Sequence, residues 1–314
     1  MRRSLIALVV GGLALVTAAG DAAAQQCHQF TGDVWRQPGI ALLPSVRIDA
    51  AGYHTPSYEG DYQGIAPALT FVHPRALVMA MMPAYRLQRN GAEEYGVGDL
   101  AVATRIPVPP WSLGRLRAGF GLAATLPTGS ALHGLGMGHV MLMPEFWWRS
   151  DHGPLQIAGT AGFGRALARF DGEAHQHGPA PLVNPMNMSE IEGSIAAFAR
   201  VHPRLALRTS FYGAVPAGSA RANDRSRLIM AEGVVIDVGK LEISVDLQLG
   251  LVGRPFLARG VVQVGYRFDL PTKGARAGRR RAREARPARS TRAALDRPMR
   301  CALDPGDDAA EVGT

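Results

Sequence analysis

Met137, His139, Met141, Met143 and Glu145 occupy every second position of one stretch, and Trp147 and Arg149 continue the row. Alternate residues of an extended chain share a face, so this spacing sets three thioethers and an imidazole side by side. Soft donors of that kind suit copper, and a ladder of them could hand Cu(I) along. The plainer reading is that flexible methionine fills irregular space beside a narrow passage. Asp171, Glu173, His175 and His177 crowd a second stretch, with Met186 and Met188 further on. His-x-His can bind a divalent ion, yet a loop lacks the surrounding groups that fix ligands in place. A third set is ionisable and dispersed: Asp99, Arg105, Arg117, Glu145, Arg149, Glu192, Arg208, Glu242, Asp246, Arg259 and Arg267. Fixed charges facing water in a pore bias what passes, and pairing between these arginines and acids would blunt the bias. Covalent catalysis has little support. No Gly-x-Ser-x-Gly occurs, none of the nine histidines has serine two places on, and Ser130 and His133 lack an evident orienting acid.

The elements that must position these groups are strands. Asp99, Ala101, Ala103 and Arg105 share one parity, and Leu100, Val102, Thr104 and Ile106 the other. After Pro109-Pro110-Trp111-Ser112 the alternation resumes, with Arg115, Arg117, Gly119, Gly121, Ala123 and Thr125 opposed to an apolar row, which reads as a hairpin. Similar segments are expected near Pro44 to Tyr53, Gly64 to Val72, Ala76 to Gln88, Val97 to Val108, Gly114 to Leu126, Met137 to Arg149, Pro154 to Ala166, Ile191 to Val201, Arg204 to Val215, Ser226 to Val238, Lys240 to Val252 and Phe256 to Leu270. Short connections, such as His73-Pro74-Arg75, His202-Pro203-Arg204 and Gly239-Lys240, alternate with long ones at His54 to Gln63, Arg89 to Gly96, Pro127 to Gly136, Leu167 to Glu190 and Pro216 to Arg225. This order predicts an all-β fold: an up-and-down antiparallel transmembrane β-barrel of about twelve strands, short turns in the periplasm and long loops outside. Val-His-Pro-Arg occurs at residues 72–75 and again at 201–204, which predicts shared turn chemistry.

Alternation alone does not say which face points inward; charge does. The polar rows hold too many ionised groups to face hydrocarbon, whereas Leu241, Ile243, Val245, Leu247 and Leu249, then Val262, Val264, Tyr266, Phe268 and Leu270, suit acyl chains. Glu232 breaks the pattern, because its parity matches Leu228, Met230, Val234 and Ile236, and a bulge near Gly233 is the expected remedy.

The ends differ from this middle. Arg2-Arg3, the apolar run Leu5 to Val16 and Ala22-Ala23-Ala24 read as a cleaved export signal over residues 1–24. Residues 25–43 read as a periplasmic lead-in, 44–270 as the barrel and 271–314 as a solvated basic tail. The net charge of +8 belongs mostly to that tail, where eleven Lys or Arg from Lys273 to Arg300 face six acids from Glu284 onward. With the folded part nearly neutral and the chain exported, nucleic acid is a disfavoured partner. Cys27 and Cys301, the two cysteines, fit neither a metal pattern nor a spacing that decides whether they pair.

Several stretches resemble the outer-membrane β-barrels named for the meta-pathway of phenol degradation: Ala80-Met81-Met82-Pro83-Ala84-Tyr85, Tyr95-Gly96-Val97-Gly98-Asp99-Leu100, and Gly121 to Leu126 followed by Pro127-Thr128-Gly129, with Gly136 and Gly138 beyond. The likeness covers most of Ala66 to Gly164. It implies an outer-membrane transporter that admits hydrophobic or aromatic compounds, with outer-membrane lipid, a small-molecule solute and the barrel-assembly machinery as partners and no cofactor. Such barrels usually stop at an aromatic-ended strand, whereas here residues 271–314 follow. The functional expectation is a passive channel, and its rival is a copper-handling barrel using Met137, His139, Met141, Met143, His175 and His177.

Overall fold

The computed structural model describes residues 39–54, 59–108, 115–169, 183, 186–218, 226–253 and 256–271. The expected export signal, Cys27, Cys301, His175, His177, the Pro109 to Ser112 turn and nearly all of the basic tail lie outside them.

The regular structure is all strand: β1 (Ile40–His54), β2 (Glu59–His73), β3 (Ala76–Met81), β4 (Ala84–Arg89), β5 (Ala92–Val97), β6 (Leu100–Pro107), β7 (Leu116–Leu126), β8 (His139–His152), β9 (Leu155–Arg169), β10 (Ser189–His202), β11 (Leu205–Pro216), β12 (Arg227–Val238), β13 (Leu241–Val252), β14 (Ala258–Tyr266) and β15 (Phe268–Leu270). Neighbours pair antiparallel. β1 bonds β14 and β15 on one side and β2 on the other, so the sheet closes on itself. Because β3/β4, β5/β6 and β14/β15 are each one interrupted strand, the ring is a twelve-stranded barrel. Closure removes the free edge that an open sheet would leave. β1 starts four residues before the expected Pro44, since Ile40 to Leu42 pair with Leu270 to Phe268.

Inner and outer rows separate as charge requires. Along β2, Tyr62, Gly64 and Ala66 are buried while Ile65, Leu69 and Phe71 are exposed. Val245 and Leu247 are 43% and 54% exposed, which sets the oily rows on the outer face. Near one rim the rings of Tyr266 and Phe268 lie 4.6 Å apart, where an interfacial aromatic belt would sit.

Local chemistry fixes the turns. His73 Nδ1 accepts the Arg75 backbone N–H at 3.1 Å, and His202 Nδ1 accepts that of Arg204 at 3.3 Å, so the repeated tetrapeptide does make one kind of turn twice. The Arg89 to Gly96 segment, expected as a long loop, is instead the two-residue turn of a hairpin extending β4 and β5. Asn90 and Gly91 take φ of 48° and 86°, the left-handed values that Asn-Gly supplies most cheaply.

Two interruptions lie side by side. Pro83 has no N–H to give the ladder, and β3 ends there. Opposite it, β4 pairs with β5 and β3 with β6, but three residues, Gly98 to Leu100, face Met82 and Pro83. The extra residue makes a bulge that buries both Gly98 and Asp99 and switches the inward row from even to odd numbers.

The bulge expected near Gly233 is not found. Register is regular there, Arg208 to Gly233 to Asp246, and shifts only between Leu228 and Ile229. Glu232 therefore lies on the outer face at mid-strand, where Thr209 Oγ1 donates to its Oε2 at 2.7 Å. A carboxylate in the apolar band costs free energy that a leucine would not. Glu232→Leu should raise barrel stability by about 1–2 kcal/mol, read as a higher urea midpoint for unfolding from lipid vesicles; a lower midpoint would contradict the placement.

Candidate functional site

Several ionisable groups of the inner face are held as neutralised pairs, and glycine makes room for two of them. Arg105 on β6 and Glu145 on β8 face each other across β7, where Gly121 stands in register with both. Arg105 Nε and Nη2 donate to the two Glu145 oxygens at 2.6 and 3.2 Å. A Cβ on Gly121 would come within 2.5 Å of Glu145 Oε1. The same device recurs at Arg208, Gly233 and Asp246, which pair across β11, β12 and β13. It recurs again where Asp49 and Tyr85 meet over Gly64. Two strands apart, long side chains meet most readily where the strand between presents no side chain.

Towards the long connections the interior is filled. Arg259 donates from Nε to Gln248 Oε1 at 2.7 Å and from Nη1 to Tyr62 OH at 3.2 Å, over the ring of Phe256. Arg47 sits 3.4 Å from Asp49, and Tyr62 meets Tyr85 edge-on. Beside them Glu190 accepts from Arg227 and, at 2.8 Å, from Asn187 Nδ2, while Tyr212 OH donates to Glu192 at 2.7 Å. Met137, Met141 and Met143 pack in one cluster with these tyrosines, with Val183 and with Met186.

A loop seals this half. Asp99, turned inward by the bulge, accepts the Gly129 N–H on Oδ1 at 3.1 Å and the Met137 N–H on Oδ2 at 2.7 Å. Thr128 Oγ1 donates to Gly98 O and accepts the Leu100 N–H. His133 Nδ1 lies 2.7 Å from Glu94. Gly136 passes so close that a Cβ would stand 2.3 Å from Asp99 Oδ1. These contacts carry Leu135 and Met137 into the interior. The residues behind the family resemblance, Met82-Pro83, Gly98-Asp99, Thr128-Gly129 and Gly136, thus come together at one latch.

Towards the short turns the interior opens into a cavity of about 520 Å³, bounded by β1, β2 and β3 on one side and β10 to β14 on the other. Ala66, Met79, Met81, Phe198 and Ala206 give it apolar walls, and Arg47, Arg208 and Glu242 also line it. Around its mouth Arg200 approaches Asp237 at 3.5 Å, while Lys240 and Arg267 share Asp269 at 3.0 and 2.8 Å. Arg149 pairs with Asp151 at 3.0 Å, and Arg117 is exposed at the same end.

Sequence reasoning passed over Arg47, Asp49, Tyr62, Tyr85, Glu190 and Arg227. Each keeps the parity of a buried neighbour on its strand, which was the available signal. The copper reading finds no support. His139 is buried beside the methionines, and among the described residues no three His, Cys, Asp or Glu side chains converge on a point that could hold a metal.

A closed ring, apolar outside and ionic within, pairs its strands with one another and exposes oil to lipid, so the chain is an outer-membrane β-barrel. No family model matches the sequence, and no curated protein does. Solved structures of similar shape include the translocator domain of the autotransporter NalP from Neisseria meningitidis, at 12% identity and a TM-score of 0.46 over 74% of this chain and 89% of that one. They include the CymD monoaromatic hydrocarbon channel, at 8% and 0.39 over 75% and 90%. A TodX deltaS2S3 mutant monoaromatic hydrocarbon channel matches at 8% and 0.40 over 76% and 92%. At these values the likenesses carry no argument about residues, cargo or mechanism.

Two predictions follow from the contacts themselves. Gly121→Ala should cost about 2–3 kcal/mol by prising a buried ion pair apart, whereas Gly260→Ala, with nothing within 4 Å of the new methyl, should be near neutral; vesicle unfolding midpoints measure both. Asp99→Ala removes two charge-assisted hydrogen bonds of about 1.5–3 kcal/mol each. It should raise limited proteolysis between Pro127 and Gly138 at least tenfold while the barrel stays folded, read as heat-modifiable migration on a gel.

Proposed function

We propose that this barrel is a passive outer-membrane channel for small hydrophobic or aromatic solutes, of the kind that the resemblance to the phenol meta-pathway barrels implies. The observation that carries the reading is the cavity with apolar walls inside the ring, separated from the far end by packed side chains and one latched loop. A solute of that class would rest against Met79, Met81 and Phe198. Asp99, Arg105, Arg117, Glu145, Arg149, Glu192, Arg208, Glu242, Asp246, Arg259 and Arg267 are the residues we assign to the water-lined path. Where they pair, as Arg105 does with Glu145 and Arg208 with Asp246, their charges cancel and an uncharged solute meets a smaller electrostatic barrier. In this scheme residues 1–24 direct export, the barrel-assembly machinery inserts residues 44–270, and the remaining tail stays in water.

Passage requires the Pro127 to Gly138 loop to leave its latch. Single-channel recording in planar bilayers should therefore show brief, rare openings for the native chain and long openings for Asp99→Ala. Silence from both proteins, in a preparation whose gel mobility proves folding, would leave a closed structural barrel instead.

A further inference from the structure

The acids and bases of the inner face differ in depth. Of the charged side chains lining the cavity, six are cationic, Arg47, Arg200, Arg204, Arg208, Lys240 and Arg267, and two are acidic, Asp237 and Glu242. The carboxylates that pair with Arg47, Arg208 and Arg267 are Asp49, Asp246 and Asp269, and none of these lines the cavity. In the two inner pairs the acid is set towards the closed half. Asp49 lies two residues further along β1 than Arg47, and Asp246 two residues beyond Ser244, which does line the cavity. The cavity therefore meets guanidinium groups whose countercharge stands behind them. A guanidinium has five N–H donors, more than one carboxylate edge can occupy. Arg208 Nε is buried and finds no acceptor among the described residues.

Beside these arginines the wall is apolar: Phe198 stands in register with Arg208 and Ala66 with Arg47, and the thioethers of Met79 and Met81 and the methyl groups of Ala68 and Ala206 also line the cavity. The volume, about 520 Å³, is that of a site for one small organic molecule. We infer that the turn-end cavity is a binding site for a small organic acid, an apolar body bearing one carboxylate, with the carboxylate held at Arg208 and the body against Met79, Met81 and Phe198. Arginine suits the task because its planar fork matches a carboxylate edge. As a statement about cargo the inference rests on the channel reading; as a statement about binding it does not.

The full chain in detergent, titrated calorimetrically with benzoate, benzyl alcohol, benzylamine and acetate, tests it. Benzoate should bind at least tenfold tighter than benzyl alcohol, which has a similar body and no charge, and tighter than acetate, which has the charge and no body. Benzylamine should bind weakest, and added salt should weaken benzoate alone among the two aromatic probes benzoate and benzyl alcohol. Arg208→Gln would strand a buried Asp246, so the double change Arg208→Gln with Asp246→Asn is the better variant. It should cut the benzoate to benzyl alcohol ratio at least fivefold and leave benzyl alcohol unchanged, whereas Arg204→Gln at the mouth should alter the ratio less than twofold. If the double variant fails to fold, Arg208→Lys, which keeps the charge and loses the fork, should still lower the ratio. Equal affinity for benzoate and benzyl alcohol, or a ratio indifferent to Arg208, overturns the inference. Selective binding in a protein that never conducts would sink the channel and spare the site; conduction without selective binding would do the reverse.

Discussion

Inside hydrocarbon no water is present to satisfy a backbone N–H or C=O, and each orphan costs several kcal/mol. That constraint is met where β1 pairs with β14 on one side and β2 on the other, which closes the sheet on itself. Everything else follows from closure. Once the ring is shut, alternate side chains point to lipid and to the interior, and any ionisable group must lie inside or pay for desolvation. Arg105, Glu145, Arg208, Asp246 and Arg259 obey, and Glu232 is the exception, softened by one hydrogen bond to Thr209.

Moving the charges inside shifts the difficulty without ending it, since the closed half of the interior is nearly dry. Buried charges persist there only as pairs with good geometry. Two of these pairs reach across an intervening strand, over Gly121 and over Gly233, because a glycine there leaves room for the long arms to meet. These glycines are thus part of the electrostatics. Gly121 reads in the sequence as a member of a small row and Gly233 as the place for a bulge; that each leaves room for its neighbours' side chains is a property of register, which one strand at a time does not reveal.

The twelve strands, their alternation of short and long connections and the outward oily rows were legible because lipid and water impose a strict period of two. Reasoning strand by strand failed where that period breaks. The bulge at Gly98-Asp99 switches parity without any sequence signal stronger than two small polar residues, and it is this switch that aims Asp99 at the loop. Asn90-Gly91 was a readable turn, passed over because the polar residues around it resembled a loop. Of the long connections, Leu167 to Glu190 invites attention by length, but Pro127 to Gly138 is gripped through its backbone by Asp99, and a backbone N–H contact leaves no trace in side-chain identity.

Register is also what the interior pairs protect. A slip of β11 by one residue past β12 would turn Arg208 to lipid and bring Thr209 inside, losing a buried ion pair and exposing a guanidinium together. The penalty is paid at one strand but felt across three, since Asp246 on β13 would then be stranded as well. Apolar rows alone would not discriminate so sharply, because leucine and valine tolerate lipid at any register that keeps them outside. The charged interior therefore does two things at once: it fixes how the strands align, and, where its acids recede behind its bases at the turn end, it leaves a cationic wall facing water.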